Sequence, residues 1–292
     1  MNEKIVDSIK TLVHERKLDS AIKMADAYLL SLPGADAGNG SVNYAFEDLE
    51  EFLFCVALEK EESEAANITG RNLTWVNTQA STVSRMQAYA LIELGRHNEA
   101  ISVLKQALEK SNPIGIALRF ELVEAYLASN QLHQAENELA TLSAMVVSHP
   151  DIAKYYRRLG YCLIERKEYA DAKICLLYSF CFEISENALG ELAYIDDLLG
   201  TPWGSDARAN VDNITSASSL RSYAEKARER NRAFTPTETQ KNCALLLVSA
   251  YAKAGKLKEK QKWMNTYKLW AESTSDEIGV VKYTNVESGV LH

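Results

Sequence analysis

Histidine, cysteine and paired carboxylates are the residue types that build metal, nucleophilic and acid–base centres, and their spacing here supports none of the three. The five histidines are scattered. His97 and His133 sit at equivalent turns between the two helices of successive repeats, without Cys or His partners at ligand spacing. Cys55, Cys162, Cys175, Cys181 and Cys243 are odd in number and form no CxxC pair. They read as small buried hydrophobes of a reducing compartment. Asp196-Asp197 and Glu61-Glu62 are adjacent, and neighbours along a helix point in different directions, so neither pair can share one proton transfer. The sequence has no GxSxG elbow, no GxxxxGK[ST] loop, no GxGxxG turn after a strand and no HExxH pair. No enzyme, metal or cofactor is expected.

Charge narrows the partners. The formal net charge of -8 argues against general affinity for nucleic acid. Acidic residues gather at Glu47, Asp48, Glu50, Glu51, Glu59, Glu61, Glu62 and Glu64, and basic ones at Arg221–Arg232 and Lys253–Lys262. The Arg221–Arg232 run could touch RNA, but Glu225 and Glu229 interleave with it as on a solvated helix. No window approaches the roughly 18 consecutive apolar residues of a membrane span, and Met1–Lys10 is charged and amphipathic, so a soluble cytoplasmic protein is expected. The Asn-x-Thr patterns at Asn67, Asn72 and Asn213 then carry no sugar.

Whatever positions the polar residues must be helical. Only 13 Gly and 5 Pro interrupt stretches rich in Ala, Leu, Glu and Lys, so little or no sheet is expected. A pattern recurs near a 34-residue period: helix, tight turn, then a second helix carrying an alanine. It is clearest at Tyr156-Arg157-Arg158-Leu159-Gly160, followed by Tyr169, Ala172, Leu176 and Ser179, where Gly160 and Ala172 permit a close crossing. The marker alanines are Ala21, Ala100, Ala135 and Ala172, and the last unit has Gly255 at its turn; the steps from Ala100 to Ala135 and on to Ala172 are 35 and 37 residues.

These spacings predict an all-α fold in one helical repeat domain over residues 1–271. The best repeats span 81–186, degenerate units span 2–33, 43–80 and 186–232, and a hairpin at 235–271 closes the array; 272–292 reads as a flexible tail. Pro33-Gly34 and Gly38–Ser41 mark a turn or linker. A helix is expected from about Tyr44 to Glu62, followed by an irregular return over Asn67–Gln79. Asn112-Pro113 and Thr235-Pro236 each read as a capping side chain before a proline at the first helical position, with Glu238 completing a capping box. Gly200-Thr201-Pro202 should end a helix running from Glu186 to Leu199, with the glycine as a left-handed cap. Trp263, Tyr267 and Trp270 form one face of the last helix, packed on its predecessor.

On these residues the chain resembles the tetratricopeptide repeats (TPR). The best copy is Ala153–Glu186, where Tyr156, Leu159, Gly160, Tyr169, Ala172 and Leu176 fall on the family's positions and Ser179 replaces an alanine. A copy from Ser81 offers Ala88, Gly95, Ala100, Leu104 and Ala107. One from Ile116 keeps Tyr126, Ala135 and Leu139 but has Val123 and Leu142 at small-residue positions, so looser packing is expected there. The resemblance implies a right-handed αα superhelix whose first helices line a concave groove for a peptide or partner helix. The groove positions are then Arg85 and Tyr89, Phe120, Glu121 and Glu124, and Lys154, Arg157, Arg158 and Tyr161. Lys154 and Arg158, with Arg85, map onto the basic residues by which some members hold a C-terminal carboxylate. Tyr89 and Glu121 stand at that clamp's asparagine positions, and a glutamate repels a ligand carboxylate, so a strict clamp is not expected.

The leading expectation is a non-catalytic adaptor binding a protein or peptide in this groove, with an acidic segment as one reading of its ligand. The alternatives are an assembly subunit that oligomerises through its convex surface or terminal helices, and a regulator that senses a peptide. A solvated face, in which Arg and Glu pair across neighbouring helices, competes with all of them.

Overall fold

The computed structural model describes residues 2–32, 41–66, 72–76, 78–200 and 214–272. The chain divides into two compact units, Met1–Met145 and Val146–His292. Among the described residues there are thirteen helices and two short strands: α1 (Asn2–His14), α2 (Leu18–Leu30), β1 (Ser41–Tyr44), α3 (Leu49–Ala66), β2 (Asn72–Trp75), α4 (Ala80–Glu93), α5 (His97–Lys110), α6 (Ile116–Ala128), α7 (Leu132–Ser143), α8 (His149–Glu165), α9 (Tyr169–Ser179), α10 (Glu186–Leu199), α11 (Ala217–Glu229), α12 (Glu238–Lys253) and α13 (Leu257–Glu272). The fold is all-α apart from this one strand pair. The expected Pro33-Gly34 turn, the Gly38–Gly40 linker, Thr201-Pro202 and the tail from residue 273 lie outside the described residues.

Five hairpins, α1–α2, α4–α5, α6–α7, α8–α9 and α12–α13, share one turn. Each closes in three residues, and the middle one is left-handed: Arg16 (φ 58°), Gly95 (73°), Asn130 (58°), Lys167 (63°) and Gly255 (70°). The next residue's N–H returns to the carbonyl five positions back, as from Arg96 N to Leu91 O and from Glu168 N to Leu163 O, both 2.8 Å. The carbonyls orphaned at the first helix's end are thereby satisfied, and the chain reverses within one turn. The marker alanines Ala21, Ala100, Ala135 and Ala172 are each the fourth residue of a second helix, and all four are 0% exposed. No side chain larger than a methyl separates the two helices there.

The left-handed register allows a stability test. A side chain at such a φ costs roughly 1 kcal/mol relative to glycine, so Lys167→Gly is expected to raise the second unit's melting temperature slightly. Gly95→Ala is expected to lower the first unit's stability by a similar amount, although a Cβ there meets nothing within 4 Å. Thermal unfolding followed by circular dichroism checks both signs.

Between α2 and α4 the expectation of a degenerate unit over 43–80, one helix with an irregular return, gives way to a β1–α3–β2 insertion. The strands pair in parallel, Ser41 with Asn72 through Tyr44 with Trp75. Helix α3 starts at Leu49 instead of Tyr44, because Tyr44 is in the strand and Phe46 turns into an aromatic cluster. Phe46 meets Tyr44, Phe52 and Trp75 at ring-centroid distances of 5.8, 5.5 and 6.3 Å, and Trp75 Nε1 donates to Phe46 O at 3.0 Å. Across the insertion α2 packs directly on α4.

Two expected helix starts move. α6 begins at Ile116 behind Gly115, because Asn112 Oδ1 accepts from Gly115 N at 2.9 Å and forms a turn ahead of the helix. α12 is capped by Thr237 instead of Thr235: Thr237 Oγ1 accepts from Gln240 N at 3.2 Å, and Thr237 N donates to Gln240 Oε1 at 2.7 Å. Gln240 is thus the reciprocating residue of the box. Gly200 ends α10 in the left-handed region, as expected.

In the second unit α8 and α9 cross at Gly160, and an aromatic chain fills the space beside them. Tyr156, Tyr178, Phe182, Phe234 and Trp270 follow one another at centroid distances of 4.7, 5.2, 6.3 and 5.8 Å. The Tyr156 hydroxyl is satisfied by Arg232 O at 2.7 Å. Trp263 and Trp270 are buried at 3% and 2%, as the stripe on the last helix required.

Candidate functional site

The sequence-derived groove residues fall in both units, and each unit presents its own face. In the first, Arg85 and Tyr89 lie one turn apart on α4. Arg85 is half-buried and engages Glu47, with Nε 3.4 Å from Oε1 and Nη2 3.3 Å from Oε2. Tyr89 is 38% exposed. Beside it, Arg16 of the α1–α2 turn pairs with Glu93. On α6, Glu121 and Glu124 are half-buried. Phe120 is 1% exposed and leaves the contact set: its position on α6 turns the ring into the core, where no ligand reaches.

In the second unit Lys154, Arg157, Arg158 and Tyr161 are all half-buried on α8. Arg157 Nη1 and Nη2 both reach Glu183 Oε2 at 3.2 Å. Desolvation pulls the Arg157 guanidinium below its ordinary value, and Glu183 opposes that. Arg158 acts on Glu191 of α10, whose carboxyl burial pushes up and Arg158 draws back down. Arg85, Arg157 and Arg158 therefore face carboxylates of neighbouring segments. A ligand anion would have to displace Glu47 or Glu183 to use Arg85 or Arg157.

The polar residue most constrained by the fold was missed among the acidic run. Glu51 is 3% exposed; its Oε1 accepts Ile116 N at 2.7 Å and its Oε2 accepts Asn112 Nδ2 at 2.6 Å and Glu47 N at 2.9 Å. The spacing of Glu51, Phe54 and Cys55 on one helical face was the available signal. All five cysteines are buried, and burial pushes the Cys175 and Cys181 thiols up to about 12, where no thiolate forms at neutral pH. Among the described residues no group of three His, Cys, Asp or Glu could hold a metal ion, and no helix is long and apolar enough to cross a membrane.

No curated protein and no solved structure matches this chain. Residues 91–157, from the end of α4 into α8, match the tetratricopeptide repeat family. The match covers the α4–α5 turn, the whole α6–α7 hairpin and the start of α8, where the three-residue left-handed turn and the fourth-position alanine recur. The same turn and fourth-position alanine recur in α1–α2 and α8–α9, outside the matched residues, so the segment 91–157 is similar to tetratricopeptide repeats and the hairpins on either side of it share its local geometry.

Proposed function

We propose that the chain is a non-catalytic adaptor that binds a protein or peptide segment on the first-helix faces of its repeats. Tetratricopeptide repeats mediate protein–protein interactions, and the observation that carries the reading to particular residues is Tyr89. It is a large aromatic side chain 38% exposed on α4, flanked by Arg85 and Glu93, which neighbouring elements hold in place. A partly exposed aromatic with fixed polar neighbours is the composition of an interface anchor. Glu121 and Glu124 of the same unit, and Lys154, Arg157, Arg158 and Tyr161 of the second, are the remaining candidates. The pairing of Arg85 with Glu47 and of Arg157 with Glu183 lowers the weight of an acidic ligand. The burial of Trp263 and Trp270 likewise removes the apolar stripe that assembly through the last helix would use.

Affinity capture from native extract tests this with three proteins: wild type, Tyr89→Ala, and Lys154→Glu with Arg158→Glu. Tyr89→Ala is expected to leave helical content unchanged and the unfolding free energy within about 0.5 kcal/mol of wild type. It should reduce capture of a specific partner roughly tenfold, as loss of an anchor side chain does. Equal recovery by all three folded proteins would refute the first-helix faces as the binding surface.

A further inference from the structure

On the opposite side of α4 from Arg85 and Tyr89, a cleft of about 540 Å³ opens between α2 and α5. Its floor is α4, through Ala80, Ser84 and Gln87. The β1–α3–β2 insertion supplies a further wall with Asn43, Ala45, Val76 and Thr78. These residues of the insertion stand against the furrow between the second helices α2 and α5. The volume falls within the range of sites that take a small ligand or a short peptide segment.

The cleft is polarised. At one level stand Asp26 of α2 and Gln87 of α4. Gln87 is 3% exposed, and its Nε2 donates to Asp26 Oδ1 at 2.6 Å. That bond fixes the amide, since the flipped form would set an oxygen against a carboxylate. Gln87 Oε1 is then an acceptor by necessity, and it is buried without a hydrogen-bond partner. Native folds rarely leave such an atom unmatched. Asp26 is exposed and makes no ion pair among the described residues; Arg96, which feels its charge, is held by Glu99 at 2.7 Å. Lys110 lines the same cleft two helical turns along α5 from Val103, roughly 10 Å away at 1.5 Å per residue. The lining also carries the aliphatic side chains Leu29, Leu30, Val76 and Val103, interspersed with neutral polar ones such as Asn43, Thr78 and Gln106, and Leu30 is 86% exposed.

We propose that this cleft is a second binding site, distinct from the first-helix faces, for an extended peptide segment carrying a lysine or arginine beside an aliphatic residue. The cation and its N–H donors meet Asp26 and Gln87 Oε1, where a carboxylate and a neutral acceptor converge. The aliphatic side chain covers Leu30 and Val76, and Lys110 sets the direction by excluding the cation from the far end. The chain's net charge of -8 favours approach of such a segment.

Panning the full-length chain against a random dodecapeptide display library, followed by fluorescence anisotropy with the synthesised consensus, tests this. The expected consensus has Lys or Arg within a few residues of Leu, Ile, Val or Met. Its affinity should fall at least tenfold in Asp26→Lys and in Gln87→Leu, and stay unchanged in Tyr89→Ala, which separates this site from the first-helix faces. Gln87→Leu should also melt at or above the wild-type temperature, because it removes an unmatched buried acceptor; a merely structural glutamine would destabilise when replaced. An absent or non-basic consensus, affinity unmoved by both cleft variants, or a lowered melting temperature for Gln87→Leu would each overturn the proposal.

Discussion

Replacing Glu51 with alanine is expected to lower the first unit's unfolding free energy by about 3–5 kcal/mol, because it strands buried donors that each cost about 1–3 kcal/mol when left without an acceptor. The donors are Asn112 Nδ2, Ile116 N and Glu47 N. α6 has no side-chain cap of its own, since Gly115 occupies its cap position; a carboxylate from α3 serves instead, and the positive end of the α6 dipole favours it. Glu51 thereby joins the insertion to the repeats at both Asn112 and Ile116, beside the bonds from Ala45 N to Ser111 O and from Ser81 Oγ to Ala45 O. Glu51→Gln should lose less, because its amide oxygen still accepts while its NH₂ faces donors. Chemical denaturation of the full-length variants measures both.

The same residue carries a pH signature. Burial pushes the Glu51 carboxyl up to about 7; the bonds from Glu47 N and Asn112 oppose this, and the charges of Asp48 and Glu47 add to it. Between the ordinary value of 4.5 and about 7 the folded state holds a proton that the unfolded state has released, so stability falls as pH rises through that window. The loss is on the order of 3 kcal/mol for this group. Other groups titrate in the same range, so the diagnostic quantity is the difference between wild type and Glu51→Gln, whose slope should be shallower. Parallel slopes would show that Glu51 is ionised throughout.

Gly160→Val is expected to destabilise the second unit by about 3 kcal/mol, at the upper end for overpacking in a closed core. At about 2–4 °C per kcal/mol, that is a fall of roughly 6–12 °C in melting temperature. A Cβ at Gly160 would lie 2.8 Å from Leu176 Cγ, 3.0 Å from Leu176 Cδ2 and 3.4 Å from Ala172 O. Leu176 and Ala172 are both 0% exposed, and the Tyr156–Tyr178–Phe182 cluster fills the adjoining core, so the leucine has nowhere to withdraw. Gly160→Ala should fall between, since about 1 kcal/mol of helix propensity offsets part of the clash. Gly190 of α10 is the internal control: a Cβ there meets nothing within 4 Å, and Gly190→Ala should stabilise by about 0.5–1 kcal/mol. A Gly160→Val protein melting like wild type would mean that the α8–α9 crossing is not close.

The hairpins were legible from local pattern. Gly160, Ala172 and the other marker alanines are dictated by helix–helix distance, a constraint that acts within about 35 residues and so leaves a periodic trace. The turns were only half legible: Gly95 and Gly255 advertise the left-handed position, whereas Arg16, Asn130 and Lys167 adopt it because the two helices they join leave no other route. The first-helix positions followed from the same register. Their solvent exposure did not, and Phe120 lies one helical step from the surface side that the register suggested.

The strand pair left no trace because Ser41–Tyr44 and Asn72–Trp75 are four residues each, too short for alternation to show, and they pair across an 18-residue helix. Still longer separations part the groups that give the chain its polar centres: Glu51 lies 61 and 65 residues from Asn112 and Ile116, Arg85 38 from Glu47, and Asp26 61 from Gln87. Sequence by itself determined the repeat, its helical class and the close crossings, since these rest on contacts within one hairpin. Which charges are buried, which arginines already hold carboxylates and where a cleft opens were decided only by tertiary structure, because such pairings join residues that the repeat's periodicity does not relate.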